Sequence, residues 1–151
     1  MHRSPDHTWL LEAIECSRQC PPSAGAFSVG AIIVDAAQQK IASGYSRETG
    51  DGAHAEEIAL QKAHQAQLDL RGATIYSSLE PCSVRLSQKR SCTDRMLAAG
   101  IARVVFALYE PSIFVVCRGA ETLMRHGVEV VVLPEYGPLV VAINQHLMAA
   151  P

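Results

Sequence analysis

His54, Glu56, Cys82 and Cys92 are the residues of this sequence best equipped for chemistry. One imidazole and two thiols form a donor set that Zn2+ takes in catalytic sites, where three protein ligands leave the fourth position to water or substrate. Zinc lowers the pKa of a bound water toward about 7, which makes hydroxide available near neutral pH. Glu56, two residues from the imidazole, is placed to carry that water's proton. Taken singly, each residue has a plainer role. A His beside Gly-rich chain is usually exposed, a Glu in a first helical turn complements the dipole, and a lone Cys is usually buried and inert. Taken together, His54-Ala55-Glu56, Pro81-Cys82 and the later Cys92 argue for one metal-dependent site.

Such a site needs elements that deliver the side chains to one place. Gly50, Asp51 and Gly52 break the chain before His54, after which Ile58, Ala59, Ala63 and Ala66 mark one side of a helix running to about Gln67. His54 and Glu56 then fall in its first turn. In a helix interior they would lie about 200° apart, a constraint that weakens at a helix start. Glu57, about 100° further round, is expected to meet solvent or packing and not the metal. Ala73–Ser78 alternates as a strand does and delivers Cys82 to a loop. Thr93–Ala99 reads as a short helix ended by Gly100.

The remaining chain supplies a scaffold. Thr8 to Cys20 carries Trp9, Leu10, Ala13, Ile14 and Ser17 at helical spacing and is stopped by Pro21 and Pro22, and Val29–Val34 with Ile41–Tyr45 reads as a β-hairpin. Ala102–Leu108 and Val128–Leu133 are apolar runs of central strands. Glu121–His126 and, after Pro138, Leu139–Met148 read as helices. Strand and helix alternate in the second half at spacings that fit parallel crossovers, so the expected fold is an α/β domain with three α/β/α layers around a mixed five-stranded sheet.

At 151 residues and 48% hydrophobic, the chain suits one domain over residues 1–151. With 13 basic and 15 acidic residues, its formal net charge of -2 argues against long nucleic acid as a partner. No segment reaches the roughly 18 apolar residues of a membrane span, and no signal-peptide core follows the N-terminus. An odd number of cysteines argues against a disulfide framework, so a cytoplasmic protein is expected.

The His-x-Glu, Pro-Cys and later Cys elements match the signature of zinc-dependent deaminases. The usual signature closes with Cys-x-x-Cys, whereas here Ser83 through Ser91 separate the two thiols. That longer loop resembles the pyrimidine deaminase domain of bacterial riboflavin biosynthesis, within the cytidine and deoxycytidylate deaminase superfamily. The resemblance rests on Leu79-Glu80-Pro81-Cys82-Ser83, Cys92-Thr93-Asp94, Val29-Gly30-Ala31-Ile32-Ile33-Val34 and Ala98-Ala99-Gly100-Ile101-Ala102-Arg103-Val104-Val105, and extends roughly from Trp9 to Leu133.

It implies a cytidine-deaminase-like fold and a small aminopyrimidine or nucleotide as substrate. It also implies Zn2+ on His54, Cys82 and Cys92, Glu56 as proton shuttle, and a homodimer. Backbone groups around Ala55 and Ser78 are expected to orient the ring. The family's Pro-Asn-Pro segment, whose Asn touches substrate, reads Gly25-Ala26-Phe27-Ser28 here. The reductase domain often fused behind it is absent, so a stand-alone relative is expected. Arg85, Lys89 and Arg90 in the loop between the thiols suit a substrate phosphate, or else form a solvated charged loop.

Three functions follow for comparison: a riboflavin-pathway-like diaminopyrimidine nucleotide deaminase, a cytidine, deoxycytidylate or free-base deaminase, and a non-catalytic zinc-stabilised binding module. Cys16, Cys20 and Cys117 read as packing or surface thiols.

Overall fold

The computed structural model describes residues 4–83, 90–114 and 116–148. In chain order the elements are α1 (Pro5–Ser17), β1 (Gly30–Val34), β2 (Lys40–Tyr45), α2 (Ala55–Gln65), β3 (Thr74–Leu79), α3 (Cys92–Ala99) and β4 (Arg103–Leu108). They continue with α4 (Gly119–Arg125), β5 (Glu129–Val132), a 3-10 turn over Pro134–Tyr136, α5 (Gly137–Ile143) and α6 (Gln145–Met148). The strands form one sheet in the order β2-β1-β3-β4-β5. Strand β1 runs antiparallel to both β2 and β3, whereas β3, β4 and β5 are parallel. The expected mixed five-stranded α/β fold is therefore present.

Two apolar clusters fill the faces of the sheet. One gathers Ala31, Ile33, Ile75, Val104 and Phe106 with α2, α3 and α4 through Ala59, Ala63, Met96 and Leu123. The other gathers Ile32, Val34, Tyr76 and Val105 with α1 and α5 through Leu10, Ile14 and Val140. Strand alternation decides which residue meets which helix, since successive side chains point to opposite faces. Gly44 lets α2 lie directly on β2, because a Cβ there would collide with the Ala55 carbonyl oxygen.

A polar knot ties α1 to the sheet. Arg103 on β4 donates from Nη1 and Nη2 to the two carboxylate oxygens of Asp6, at 2.7 and 2.6 Å, and Tyr76 on β3 donates to Asp6 Oδ1 at 2.7 Å. Planar guanidinium and carboxylate match edge to edge, so the pair also fixes orientation.

Boundaries differ from the sequence reading where side chains cap the backbone. Helix α1 starts at Pro5 because Ser4 Oγ accepts from Asp6 N, and Pro at the first helical position needs no donor partner. The single C-terminal helix expected over Leu139–Met148 is broken at Asn144. This fully buried side chain accepts from Ser28 N and donates to Ser28 O and Val140 O, so its amide serves a distant loop. Among the described residues, no helix is long and apolar enough to cross a membrane.

Candidate metal and proton-transfer site

The site forms where β3 ends and two helices begin. Beyond β3, Glu80 N donates to Leu108 O, which continues the parallel ladder one step before Pro81 and Cys82 leave the sheet. Glu80 itself is buried, and its carboxylate accepts from Glu110 N and Ala120 N. The stretch before α4 holds the turn from outside: Cys117 Sγ donates to Pro81 O, and Arg118 N donates to Ser83 Oγ. Gly119 is required here, since a Cβ would collide with the Pro81 carbonyl oxygen. Cys82 is thus placed by rigid backbone.

Cys92 is the first residue of α3, whose N-cap Ser91 accepts from Asp94 N. The free amides of that first turn point back at Cys82: Cys92 N donates to its Sγ at 3.2 Å and Thr93 N to its backbone carbonyl oxygen at 3.1 Å. A helix N-terminus stabilises thiolate charge. His54 is not in the first helical turn, as the sequence reading had it, but is the N-cap of α2 with extended backbone, φ -92 and ψ 149. That position removes the 200° conflict, because only Glu56 obeys helical geometry.

His54 Nδ1 lies 3.5 Å from Cys82 Sγ and 3.4 Å from Cys92 Sγ, and the three donor atoms all fall within 4.8 Å of one another. A tetrahedral zinc with Zn–N near 2.0–2.1 Å and Zn–S near 2.3 Å separates nitrogen from sulfur by about 3.5 Å. The donor set therefore fits that ion in type and in spacing.

Glu56 is buried beside this group, with Oε1 accepting from Ser77 Oγ at 2.6 Å and Oε2 at 3.5 Å from Cys92 Sγ. Burial raises its pKa above the ordinary carboxylate range, against the pull of the Ser77 bond. The two thiols are shifted in opposite directions. Hydrogen bonding from Cys92 lowers Cys82 to about 5, while the neighbouring Cys82, burial and Glu56 push Cys92 well above the ordinary thiol range. Two sulfurs and a carboxylate buried this close together oppose one another's charge, which a cation would relieve.

The sequence reading missed two polar residues of the site. Ser77 is fully buried on β3, and a hydroxyl on the apolar face of a central strand was the available signal. Glu110 follows β4, and its pKa is pushed up to about 7 by burial and by the charges of Cys82, Glu56 and Glu80. Its Oε2 is buried without a hydrogen-bond partner among the described residues. A carboxylate just past the C-terminal end of a parallel strand is where such folds place ligand contacts.

Of the other expected site residues, Ala55 is fully buried as the first residue of α2. Ser78 is fully buried, but its hydroxyl accepts from Gly30 N and joins two strands, so only its backbone is left for the role expected of it. Arg90 is exposed before α3, its carbonyl oxygen accepting from Arg95 Nε. Arg85 and Lys89 lie outside the described residues.

The departure at Gly25-Ala26-Phe27-Ser28 has its own support. Arg47 Nε and Nη2 donate to Pro21 O, Nη1 to Phe27 O and Nη2 to Ser28 Oγ. Its backbone N donates to Ala53 O, closing the loop that leads to His54. Phe27 packs edge-on against Phe114, with ring centroids 5.3 Å apart.

Comparison with known proteins gives three kinds of match. A family model described as "Cytidine and deoxycytidylate deaminase zinc-binding region" matches residues 3–108. A diaminohydroxyphosphoribosylamino-pyrimidine deaminase of Schizosaccharomyces pombe is 41% identical over 125 residues, covering 82% of this chain and 31% of that protein. Among solved structures, a diaminohydroxyphosphoribosylaminopyrimidine deaminase/5-amino-6-(5-phosphoribosylamino)uracil reductase of Thermotoga maritima superposes with a TM-score of 0.79 at 29% identity, over 95% of this chain and 40% of its own. Rib2 deaminase of Aspergillus oryzae superposes with a TM-score of 0.83 at 23% identity, over 95% and 92% of the two chains, a likeness of fold. The chain thus spans about a third of the length of the yeast relative.

Proposed function

Because the chain belongs to the cytidine and deoxycytidylate deaminase zinc-binding family, we propose that it is a zinc-dependent hydrolytic deaminase of a diaminopyrimidine nucleotide resembling the riboflavin-pathway substrate. The observation that carries this is the set of Nδ1 to Sγ distances, 3.4 and 3.5 Å, with the buried Glu56 carboxylate 3.5 Å from Cys92 Sγ. His54, Cys82 and Cys92 would hold Zn2+, which would supply Lewis-acid activation of water. Glu56 would take one proton from the attacking water and deliver it to the ring nitrogen, then take the remaining hydroxyl proton and pass it to the departing amine as the carbonyl forms. The balance is one amine and one water consumed, one ring carbonyl and one ammonia produced.

Backbone groups at Ala55 and Ser78 orient the ring, and Arg85, Lys89 and Arg90 contact the substrate phosphate. The substrate class is supported by the yeast and Thermotoga relatives, whose names give a diaminohydroxyphosphoribosylaminopyrimidine as what they act on. The free cysteines among the described residues suit the reducing cytoplasm. A homodimer is part of the same reading, tested by sedimentation.

The experiment offers the purified zinc-loaded protein a panel of aminopyrimidines and their nucleotides. Ammonia release with a product about one mass unit heavier is expected from the diaminopyrimidine nucleotide. Conversion only of deoxycytidylate, cytidine or a free base would replace this substrate by the second reading. Stoichiometric zinc without turnover of any amine would make the chain a metal-stabilised binding module.

A further inference from the structure

The deaminase reading assigns no part to Ser77, although this residue is an anomaly in the packing. Residues 75 and 77 lie on one face of β3, and Ile75, with Ala73 just before the strand, belongs to the apolar cluster under α2 and α3. Ser77 continues that face at 0% exposure. A hydroxyl moved from water to an apolar interior costs free energy unless bonded, and alanine or valine would fill the place without that cost.

Ser78 next to it shows what a structural hydroxyl does in this strand: it accepts from Gly30 N and joins β3 to β1. Ser77 bonds differently. Its Oγ lies 2.8 Å from Leu79 O two residues on, and 2.6 Å from Glu56 Oε1 on another element. The terminal torsion of a glutamate is broad, with no strong preference of its own, so a carboxylate pointing into a pocket must be oriented by its neighbours. With its single proton directed along the shorter contact, the Ser77 hydroxyl holds one oxygen of Glu56 and leaves Leu79 O as a close neighbour. The other, Oε2, is then directed at Cys92 Sγ, 3.5 Å away, on the side where the donor set converges. A sulfur that has become a metal ligand has no proton to give, and the Ser77 hydroxyl still does.

We propose that Ser77 is a positioning residue for deamination, which fixes the Glu56 carboxylate through the 2.6 Å bond so that its second oxygen faces the cluster of His54, Cys82 and Cys92. The inference rests on the functional reading above and adds to it a residue that acts only through Glu56.

The test is a double-mutant cycle on the zinc-loaded protein, reading kcat, KM, zinc content and thermal midpoint. Ser77→Ala is expected to lower kcat about tenfold with KM and zinc content unchanged. Placed on Glu56→Gln, it is expected to cause no further loss, because there is no longer a shuttle to position. Ser77→Thr and Ser77→Val, equal in shape, separate the hydroxyl from packing: Thr is expected to keep most of kcat and Val to behave like Ala.

Wild-type kcat in Ser77→Ala, equal kcat in the Thr and Val variants, or a loss that multiplies onto Glu56→Gln would overturn the inference and leave the deaminase reading standing. Absence of ammonia release by the wild-type protein overturns both.

Discussion

Glu57 and Arg95 are joined by an ion pair of 3.2 Å that ties the helix following His54 to the helix opened by Cys92. The other carboxylate oxygen of Glu57 accepts from His54 N at 3.2 Å. One buried side chain thus secures the backbone of His54 and the helix that Cys92 opens. Glu57 was expected to meet solvent or packing; it is buried and ion-paired, and is not one of the three clustered donors.

Glu57→Gln and Glu57→Ala separate the two contacts. The amide keeps an acceptor for His54 N and loses the charge facing Arg95, a change worth about 0.5–1 kcal/mol for a partly exposed pair. Alanine loses both, and the expected cost rises to about 2 kcal/mol because a helix-start donor loses its partner. Urea unfolding of the three proteins measures this. Equal midpoints for wild type and alanine variant would show that the link carries no stability.

Metal binding is tested by removing one donor. Cys92 is fully buried at the start of α3, so Cys92→Ala removes a sulfur without disturbing surface chemistry. Zinc content of the purified variant is expected to fall from one ion per chain to well below, and the thermal midpoint to become insensitive to chelator. A Cys16→Ala control, on α1 and outside the donor set, is expected to retain the ion. Full zinc retention in Cys92→Ala sinks the ligand assignment.

The chemistry-bearing fragments were legible because motif, helix start and strand end are local signals. Apolar periodicity also placed all five strands. What stayed hidden depended on contacts distant in sequence: Asn144 breaks a helix to serve Ser28, and Arg47 holds a loop some twenty residues upstream. The N-cap role of His54 was missed by one residue, since periodicity does not report the φ and ψ of a helix boundary. Ser77 and Glu110 belong to no motif, and only the fold brings them beside Glu56 and Cys82.

Arg47 has a positive φ of 63, uncommon for a side chain of its size, and its guanidinium spans three backbone or hydroxyl oxygens of the 21–28 segment. A lysine ammonium is a point donor and does not reproduce that fork. Arg47→Lys is therefore expected to lose about 2 kcal/mol of stability and to expose the segment to limited proteolysis. A protease pattern and unfolding midpoint identical to wild type would assign the bonds no weight.

The pH dependence of stability contains a contribution from Asp6. The Arg103 hydrogen bonds hold its carboxyl below the usual carboxylate range, outweighing the effect of burial. A group depressed in the folded state stabilises above its unfolded pKa of about 3.9, and that contribution disappears as pH falls through the folded value. Asp6→Asn is expected to cost about 2 kcal/mol at pH 7, a charged hydrogen bond's worth, and the gap should narrow steadily below about pH 4. Unfolding midpoints of both proteins at pH 7 and pH 3 give the answer. A gap that is constant or widens in acid contradicts the assignment.

Glu56→Gln separates proton transfer from architecture. The amide matches the carboxylate in shape and still accepts from Ser77 through its oxygen, so the packing of α2 on β3 is preserved. It cannot take a proton from water and return it to an amine. General acid-base transfer is worth at least about a hundredfold in rate, so kcat on the confirmed substrate is expected to fall by that factor or more. Zinc content should stay at one ion per chain, because no carboxylate belongs to the donor set of His54, Cys82 and Cys92. Removing a carboxylate that burial disfavours should leave the thermal midpoint unchanged or raise it. Glu57→Gln is the comparison: it carries the same chemical change one residue along the helix, on a side chain committed to His54 N and Arg95. It is expected to keep kcat within about threefold of wild type, as loss of an ion pair affects stability more than transition-state contact. Equal turnover in the two variants would leave the metal site intact and remove Glu56 as the shuttle.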